Sequence, residues 1–330
     1  MFPPKGSGLE QIMKMLEARY PDFSLAKLIE APFKQYTTRR PANTRPLNIP
    51  TPVESLQKLQ TTVQSFVGGL SQNLTSAISQ ITGSAPKEDY MAVARSFMPL
   101  EASLVKPQFP EDSQEILLAD IDGDSQNEVI ASYKLNDPAL RTMVLKKQKN
   151  EWTKISEILN PGFEEIHYRH TASLTGDGKL QLVLGLAGSG NGHTLHGYSF
   201  EADGAKKLFS RNYHKLEGLG LPGQKSSLSR TQFALWNEND DETYDIEVMG
   251  WDGVQLASVD PNRYYSKKAL PYFVRQLKQN PGDSSNWYRL ADALAKAGAK
   301  NDAITVIDTG MKRDRKSEYT DKFQALRNRL

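Results

Sequence analysis

Cysteine is missing altogether from this chain of 330 residues. That excludes disulfides, thiolate nucleophiles and cysteine-ligated zinc in one step, and leaves the redox compartment open. Long apolar runs are missing too: no stretch approaches the roughly 18 apolar residues of a spanning helix. The opening residues, MFPPKGSGLEQIMKMLEARY, lack the apolar core of an export signal. A cytoplasmic or peripherally membrane-associated protein is therefore expected, or one of the cell envelope or exterior if a leader precedes this sequence. Nor does one sign of charge dominate. Lysine and arginine number 41 against 39 aspartates and glutamates, a net charge of +2, which provides no global field to hold nucleic acid. No nucleic-acid partner is expected, and any electrostatic function has to be local.

With 38% hydrophobic and 24% charged residues the chain has the composition of a globular protein, and its length calls for more than one folded unit. Residues 1–30 place Leu9, Ile12, Met13, Leu16, Leu25, Leu28 and Ile29 at helical spacing, predicting two short helices around Pro21. Residues 31–53 form a basic, proline-containing linker with Lys34, Arg39, Arg40 and Arg45. Residues 54–84 carry an apolar stripe (Leu56, Leu59, Val63, Phe66, Val67, Leu70, Leu74, Ile78, Ile81) opposite a face of Ser, Thr, Gln and Asn. Gly68 and Gly69 each cost this amphipathic helix about 1 kcal/mol relative to alanine, so it needs something to lie against. A membrane surface contacted through 54–81 is one candidate support, and the β region of the same chain is another. Residues 85–113 read as a connector.

Over residues 114–262 the period switches from helical to alternating. ILLA, EVIASYK, TMVLKK, EWTKISEI, EEIHYRHTASL, LQLVLGLA, TLHGYSF, QFALW and YDIEVMGW are separated by Gly, Asp, Asn or Pro, the pattern of an antiparallel β region. The segments repeat: Ala119-Asp120-Ile121-Asp122-Gly123-Asp124 aligns with Ala172-Ser173-Leu174-Thr175-Gly176-Asp177, placing Glu128 on Gln181. A third copy is expected from Leu235 through Asp245 to Trp251. Residues 263–330 return to helical spacing, and Ala269, Phe273 and Pro281 recur 34 residues later as Ala303, Ile307 and Arg315. With Trp287, Leu290, Ala291, Leu294, Ala303 and Ile307, residues 265–330 resemble tetratricopeptide helices, although Leu294 replaces an aromatic and Gly310 an alanine. The resemblance implies a protein-binding surface; so few repeats also suit a cap over the open end of the β region.

The stretch Asp120–Glu128 reads DIDGDSQNE. Asp120, Asp122, Asp124 and Glu128 would repel one another unless a cation or a solvated turn relieves them. Side-chain oxygens at these positions, the backbone carbonyl of Gln126 and water make an oxygen shell that suits one calcium ion. Ala131 stands where an EF-hand needs a bidentate Glu, and the flanks are strands. Residues 114–258 resemble instead the FG-GAP or VCBS class of β-propeller-like repeats, whose loops read D-x-D-G-D-G-x-x-D. Ser125 and Glu128 depart from that form. The second copy keeps a single carboxylate, Asp177, and is expected to hold its turn through side-chain to backbone bonds.

The expected architecture is thus an α+β multidomain chain: an N-terminal helical arm, a central antiparallel β region of about three four-stranded propeller-blade-like repeats, and C-terminal tetratricopeptide-like helices. Three blades do not close a propeller, so helices or a second copy must cover the ends. His167/His170 and His193/His196 stand three apart on strands, facing opposite ways, and are read as structural. Gly188–Gly192 precedes a strand rather than a helix, which makes it a hairpin loop rather than a phosphate cradle. Trp152, Trp236, Tyr244 and Trp251 suit sheet packing, with a sugar platform as the alternative. No nucleophile, base and orienter set emerges. The expected function is a non-enzymatic interaction scaffold with protein partners, self-association included. A peripheral membrane adaptor and a carbohydrate- or cell-envelope-binding module are the alternatives.

Overall fold

Strands that are apolar on both faces dominate the middle of the chain, and such strands have to be covered twice. The computed structural model describes Lys14 and residues 88–330, apart from 189, 191, 224–227, 240–242 and 315–317. The expected helices of 1–30, the linker 31–53 and the amphipathic helix of 54–84 lie outside the described residues, Lys14 excepted.

Helix α1 (Tyr90–Ser96) opens the described part, with Asp89 as its N-cap. Strands β1 (Ser103–Leu104), β2 (Ile116–Ala119), β3 (Glu128–Lys134), β4 (Ala139–Gln148) and β5 (Glu151–Pro161) form the first antiparallel sheet. Within it β2 and β1 share one edge of β3, pairing with its first and second halves. The second sheet is β6 (Glu165–Ala172), β7 (Gln181–Ala187), β8 (His193–Glu201) and β9 (Gly204–Tyr213); the third is β10 (Lys215–Leu219), β11 (Gln232–Glu238), β12 (Tyr244–Trp251) and β13 (Leu256–Ser258). Each is a meander in chain order. Residues 85–113, expected as a connector, thus contribute α1 and β1 to the fold.

The three units share a register. Ala119 pairs with Glu128, Ala172 with Gln181 and Leu219 with Gln232, each flanking the first turn of its meander. The 53-residue offset between the first two copies is therefore structural. The third copy starts at β10, and the expected Leu235–Trp251 falls on β11 and β12 instead. Its turn, residues 220–231, holds no Asp or Glu, so the acidic signature that guided the alignment is missing there.

Side-chain alternation divides each central strand between two cores. In β3, Ile130 faces the second sheet with Leu140 and Val144, while Val129, Ala131 and Tyr133 face α1 with Met143 and Leu145. In β7, Leu182, Leu184 and Leu186 meet the first sheet; Val183 meets Phe233 and Leu235 of the third. Ala234 and Trp236 then turn to the C-terminal helices. The sheets are stacked in a row rather than closed into a propeller, and each fully buried Leu or Ile contributes roughly 1.5–3 kcal/mol. A stitch crosses the first seam: Val105 N donates to Ser132 O, Gln108 N to Ile166 O and Phe109 N to His167 O. Buried Arg169 reaches back to the carbonyls of Gln114 and Glu115.

Helices cover both ends. α1 and Phe97, Met98 and Trp152 lie over the outer face of the first sheet. At the other end α2 (Asn262–Tyr264) runs through a π-helical turn (Tyr265–Ala269) into α3 (Leu270–Gln279), followed by α4 (Ser284–Lys296), α5 (Lys300–Arg313) and α6 (Thr320–Arg329). These share one core with the third sheet; Trp236 Nε1 donates to Tyr264 Oη (2.9 Å) and Tyr265 Oη to Ile246 O (2.7 Å). Gly310, which departs from the helical repeat's usual alanine, has a physical cause: a methyl there would lie 2.6 Å from Cζ of Phe323.

Close packing makes Gly185 on β7 equally constrained. A Cβ there would stand 2.1 Å from Tyr213 Oη and 2.9 Å from Tyr168 Cβ. Gly185→Ala is expected to destabilise the chain by about 1–3 kcal/mol, the usual cost of overpacking. An unchanged urea midpoint would show that Tyr213 is not seated on β7.

Candidate metal site

The acidic loop links β2 to β3, and its own backbone shapes it. Asp120 accepts from Gly123 N (2.7 Å) and Ser125 N (2.9 Å), Asp122 from Asp124 N (3.2 Å) and Asp124 from Gln126 N (2.8 Å). Gly123 has φ +82° and Ser125 +69°; the matching positions of the second copy, Gly176 and Gly178, have +76° and +88°. Ser125 thus holds a left-handed conformation that costs a non-glycine residue about 1–2 kcal/mol. One ligand oxygen from each of Asp120, Asp122 and Asp124 lies within 4.8 Å of the others.

Glu128, fully buried at the start of β3, aims into the same loop. Its Oε2 accepts from Ile121 N (3.0 Å), whereas its Oε1 is buried without a hydrogen-bond partner. Burial raises its carboxyl above the ordinary range, the Ile121 amide opposes that, and Asp122 and Asp124 add to the rise. Gln126, the remaining expected ligand, has an exposed side chain that extends towards Asp124 (3.4 Å), and calcium would take its carbonyl instead. The arrangement clusters three of the carboxylates named from the sequence, Asp120, Asp122 and Asp124, and Glu128 adjoins them through the Ile121 amide and Lys146.

Sequence reasoning missed Lys146. Its ammonium bonds Asp122, stands 2.7 Å from Asp124 and 3.8 Å from Glu128 Oε1. The last distance is a charge contact too long for a hydrogen bond. Burial pulls the Lys146 pKa down, but bonds to Asp122 and Asp124 carry it above the usual lysine range, and the same ammonium lowers that of Asp124. A signal was available. Asn136-Asp137-Pro138 sets the β3–β4 turn, and one step beyond the Val129–Leu145 pair puts Lys146 opposite Glu128.

The second loop shapes the same turn with one carboxylate, Asp177. Gln181 Oε1 accepts from Leu174 N (2.7 Å), repeating the Glu128–Ile121 bond, and its amide donates to Thr175 Oγ1 (2.9 Å) and Lys179 O (3.1 Å). Asp177 accepts from Thr175 Oγ1 (2.7 Å) and Lys179 N (3.1 Å). The expected side-chain to backbone bonds therefore hold this turn. Thr231 ties it to the third sheet, accepting from Ser173 N (3.1 Å).

Elsewhere, His167, His193 and His196 pack among aromatic and polar side chains. His167 and His193 stack at 3.8 Å and 8°, with His167 Nδ1 2.8 Å from Tyr213 Oη. His196 contacts Tyr198 Oη (3.1 Å) and Asn160 Oδ1 (3.3 Å). Trp236 and Tyr244 lie edge to face at 5.9 Å, and Trp152 donates to Glu88. In the Gly188–Gly192 loop, Ser189 and Asn191 lie outside the described residues.

Two outcomes follow from these contacts. Glu128→Gln, copying Gln181, is expected to keep stability within about 1 kcal/mol, while Glu128→Ala, which orphans the Ile121 amide, costs about 1–3 kcal/mol in chemical denaturation. Equal losses for both would remove the equivalence of the two loops. Burial, aided by Lys207, lowers the His196 pKa to about 4, and burial with His214 lowers that of His193. An unfolded histidine titrates near 6.5, so the unfolded chain takes up protons that the folded chain refuses. Stability is then full above pH 6.5 and drains away as the pH falls towards 4. His196→Gln should flatten that fall in a melting-temperature profile, each 1 kcal/mol amounting to about 2–4 °C in a protein of this size. Parallel profiles would remove the assignment.

Comparison with known proteins gives one match. The family model for tetratricopeptide repeats matches residues 267–330, which contain α3 to α6. No curated protein and no solved structure matches the chain. The resemblance of 114–258 to FG-GAP or VCBS repeats has no family-model match. The chain therefore combines a tetratricopeptide-like helical unit with an antiparallel β region of three stacked sheets.

Proposed function

We propose that this chain is a non-enzymatic interaction scaffold whose tetratricopeptide-like helices receive a protein partner and whose FG-GAP-like β region is stiffened by one calcium ion. The observation that carries the reading is the helical match over 267–330 together with the single core those helices share with the third sheet. A partner docked on the helices is thereby coupled to the β layers.

Charge narrows the partner's chemistry. Residues 263–330 carry 15 basic and 7 acidic side chains, whereas residues 88–262 carry 16 and 27. Opposite signs meet where the two parts touch, at Lys268–Glu217 (3.3 Å) and Arg289–Asp245 (3.9 Å), though such exposed pairs add little stability. Lys300, Lys312, Arg313, Lys322 and Arg329 remain exposed on α5 and α6. An acidic partner suits that surface, and electrostatics of this kind act chiefly on encounter rate and specificity.

The donor set at the first loop fits calcium: hard oxygens from Asp120, Asp122, Asp124 and Glu128, and the Gln126 carbonyl. Buried Glu128 Oε1, without a hydrogen-bond partner, is the observation that favours an ion there. Calcium bound at this point would offset two of the four carboxylate charges and fix the turn between β2 and β3.

A pull-down with the full chain as bait, run in millimolar calcium and in chelator, tests both parts. Partner recovery is expected to fall when Lys312 and Arg313 are replaced by Glu, and to fall with rising salt. Calcium is expected to raise the melting temperature of the unaltered chain but not of Asp122→Ala/Asp124→Ala. Recovery indifferent to charge reversal and salt would remove the helical surface; equal calcium responses would remove the ion.

A further inference from the structure

We infer that Lys146 is a tethered cation that competes with calcium for the first loop, so that binding the ion expels the lysine into the adjoining cleft. The inference rests on the reading of that loop as a calcium site and adds how it would be regulated.

Three observations support it. First, the ammonium stands among the same oxygens that calcium would use, contacting Asp122, Asp124 and Glu128 from across the sheet. Both cannot occupy one point. Second, the exchange is uneven. One ammonium faces three carboxylates, and it leaves Glu128 Oε1 buried without a hydrogen bond. A divalent ion offers twice the charge and can take that oxygen directly, while losing the lysine's two short contacts. Third, the displaced side chain has somewhere to go. Lys146 lines an open cleft of about 350 Å³ between the first two sheets, together with Lys179, Gln148, Ser156, Phe200 and Glu201. Glu201 offers a new partner there.

Position explains how the lysine is delivered. The β3–β4 register runs unbroken to the Val129–Leu145 pair, and one step further sets Lys146 across from Glu128. The second loop has no need of such a residue, because Gln181 replaces the glutamate and satisfies its neighbours with an amide. The exchange therefore belongs to the first loop, and calcium occupancy is set by a competitor that cannot diffuse away. Such competition weakens apparent affinity, as any population of a closed state does.

Isothermal calorimetry of the full chain and of Lys146→Met, titrated with calcium alone, provides one arm of the test. Lys146→Met is expected to bind calcium at least about tenfold more tightly, which is about 1.4 kcal/mol. A second arm needs no variant: amine acetylation at Lys146, read by mass spectrometry against exposed Lys134 as the internal standard, is expected to rise severalfold when calcium replaces chelator. Calcium binding to the unaltered chain with no gain in Lys146→Met, or with unchanged Lys146 labelling, overturns the exchange and leaves the calcium site standing. Absence of binding to both proteins overturns the calcium site itself and the exchange with it.

Discussion

The constraint from which the rest of the structure follows is the double burial of the central strands. β3 and β7 present apolar side chains to both faces, so neither can lie at the surface of a two-layer protein. Each sheet has to find a neighbour on both sides, and three sheets in a row leave two faces bare. Short α1 with its following segment covers one, and the tetratricopeptide-like helices cover the other. What resembles a recognition module is thus also a structural lid. Tyr264, Tyr265 and Trp236 hold it by directional bonds across a largely apolar seam that the Lys268–Glu217 and Arg289–Asp245 pairs flank.

Electrostatics is decided in a smaller space. The first and second loops have nearly the same backbone, with left-handed residues at corresponding positions, yet they are stabilised differently. One gathers three aspartates beside buried Glu128 and draws in an ammonium from the next strand but one. The other uses an amide, a hydroxyl and the lone carboxylate of Asp177. Three exchanges, Asp120 for Ser173, Asp122 for Thr175 and Glu128 for Gln181, remove carboxylates from the second copy and with them the need for a counter-charge.

Much of this was readable from residues alone. EVIASYK and YDIEVMGW became β3 and β12 over the same residues, and the 53-residue repeat reappeared as matched register. Strands β9, β10 and β13 were missed. GAKKLFSRNY is an edge strand with exposed lysines, and KLEGL and LAS are too short to establish a period. The third copy was misplaced because its turn has lost every acidic residue. The three aspartates cluster within the loop as their spacing suggested; Lys146 lay outside that spacing, since cross-strand neighbours are separated in sequence by twice the distance to the turn. The packing of helix on sheet was expected only as a cap, as nothing in TPR-like spacing tells which face a partner will meet.

The stitch from Val105 to Phe109 has a mechanical consequence. This segment leaves the side of β3, crosses the seam and runs alongside β6, where Phe109 O accepts from the backbone of Arg169, whose buried guanidinium holds the carbonyls of Gln114 and Glu115 further on. Tension drawn along this segment would be shared between two sheets, loading its cross-strand hydrogen bonds together in shear rather than unzipping them one by one. Once α1 has lifted from the first sheet, a pull from the N-terminal side would accordingly be resisted at the junction of the first two layers.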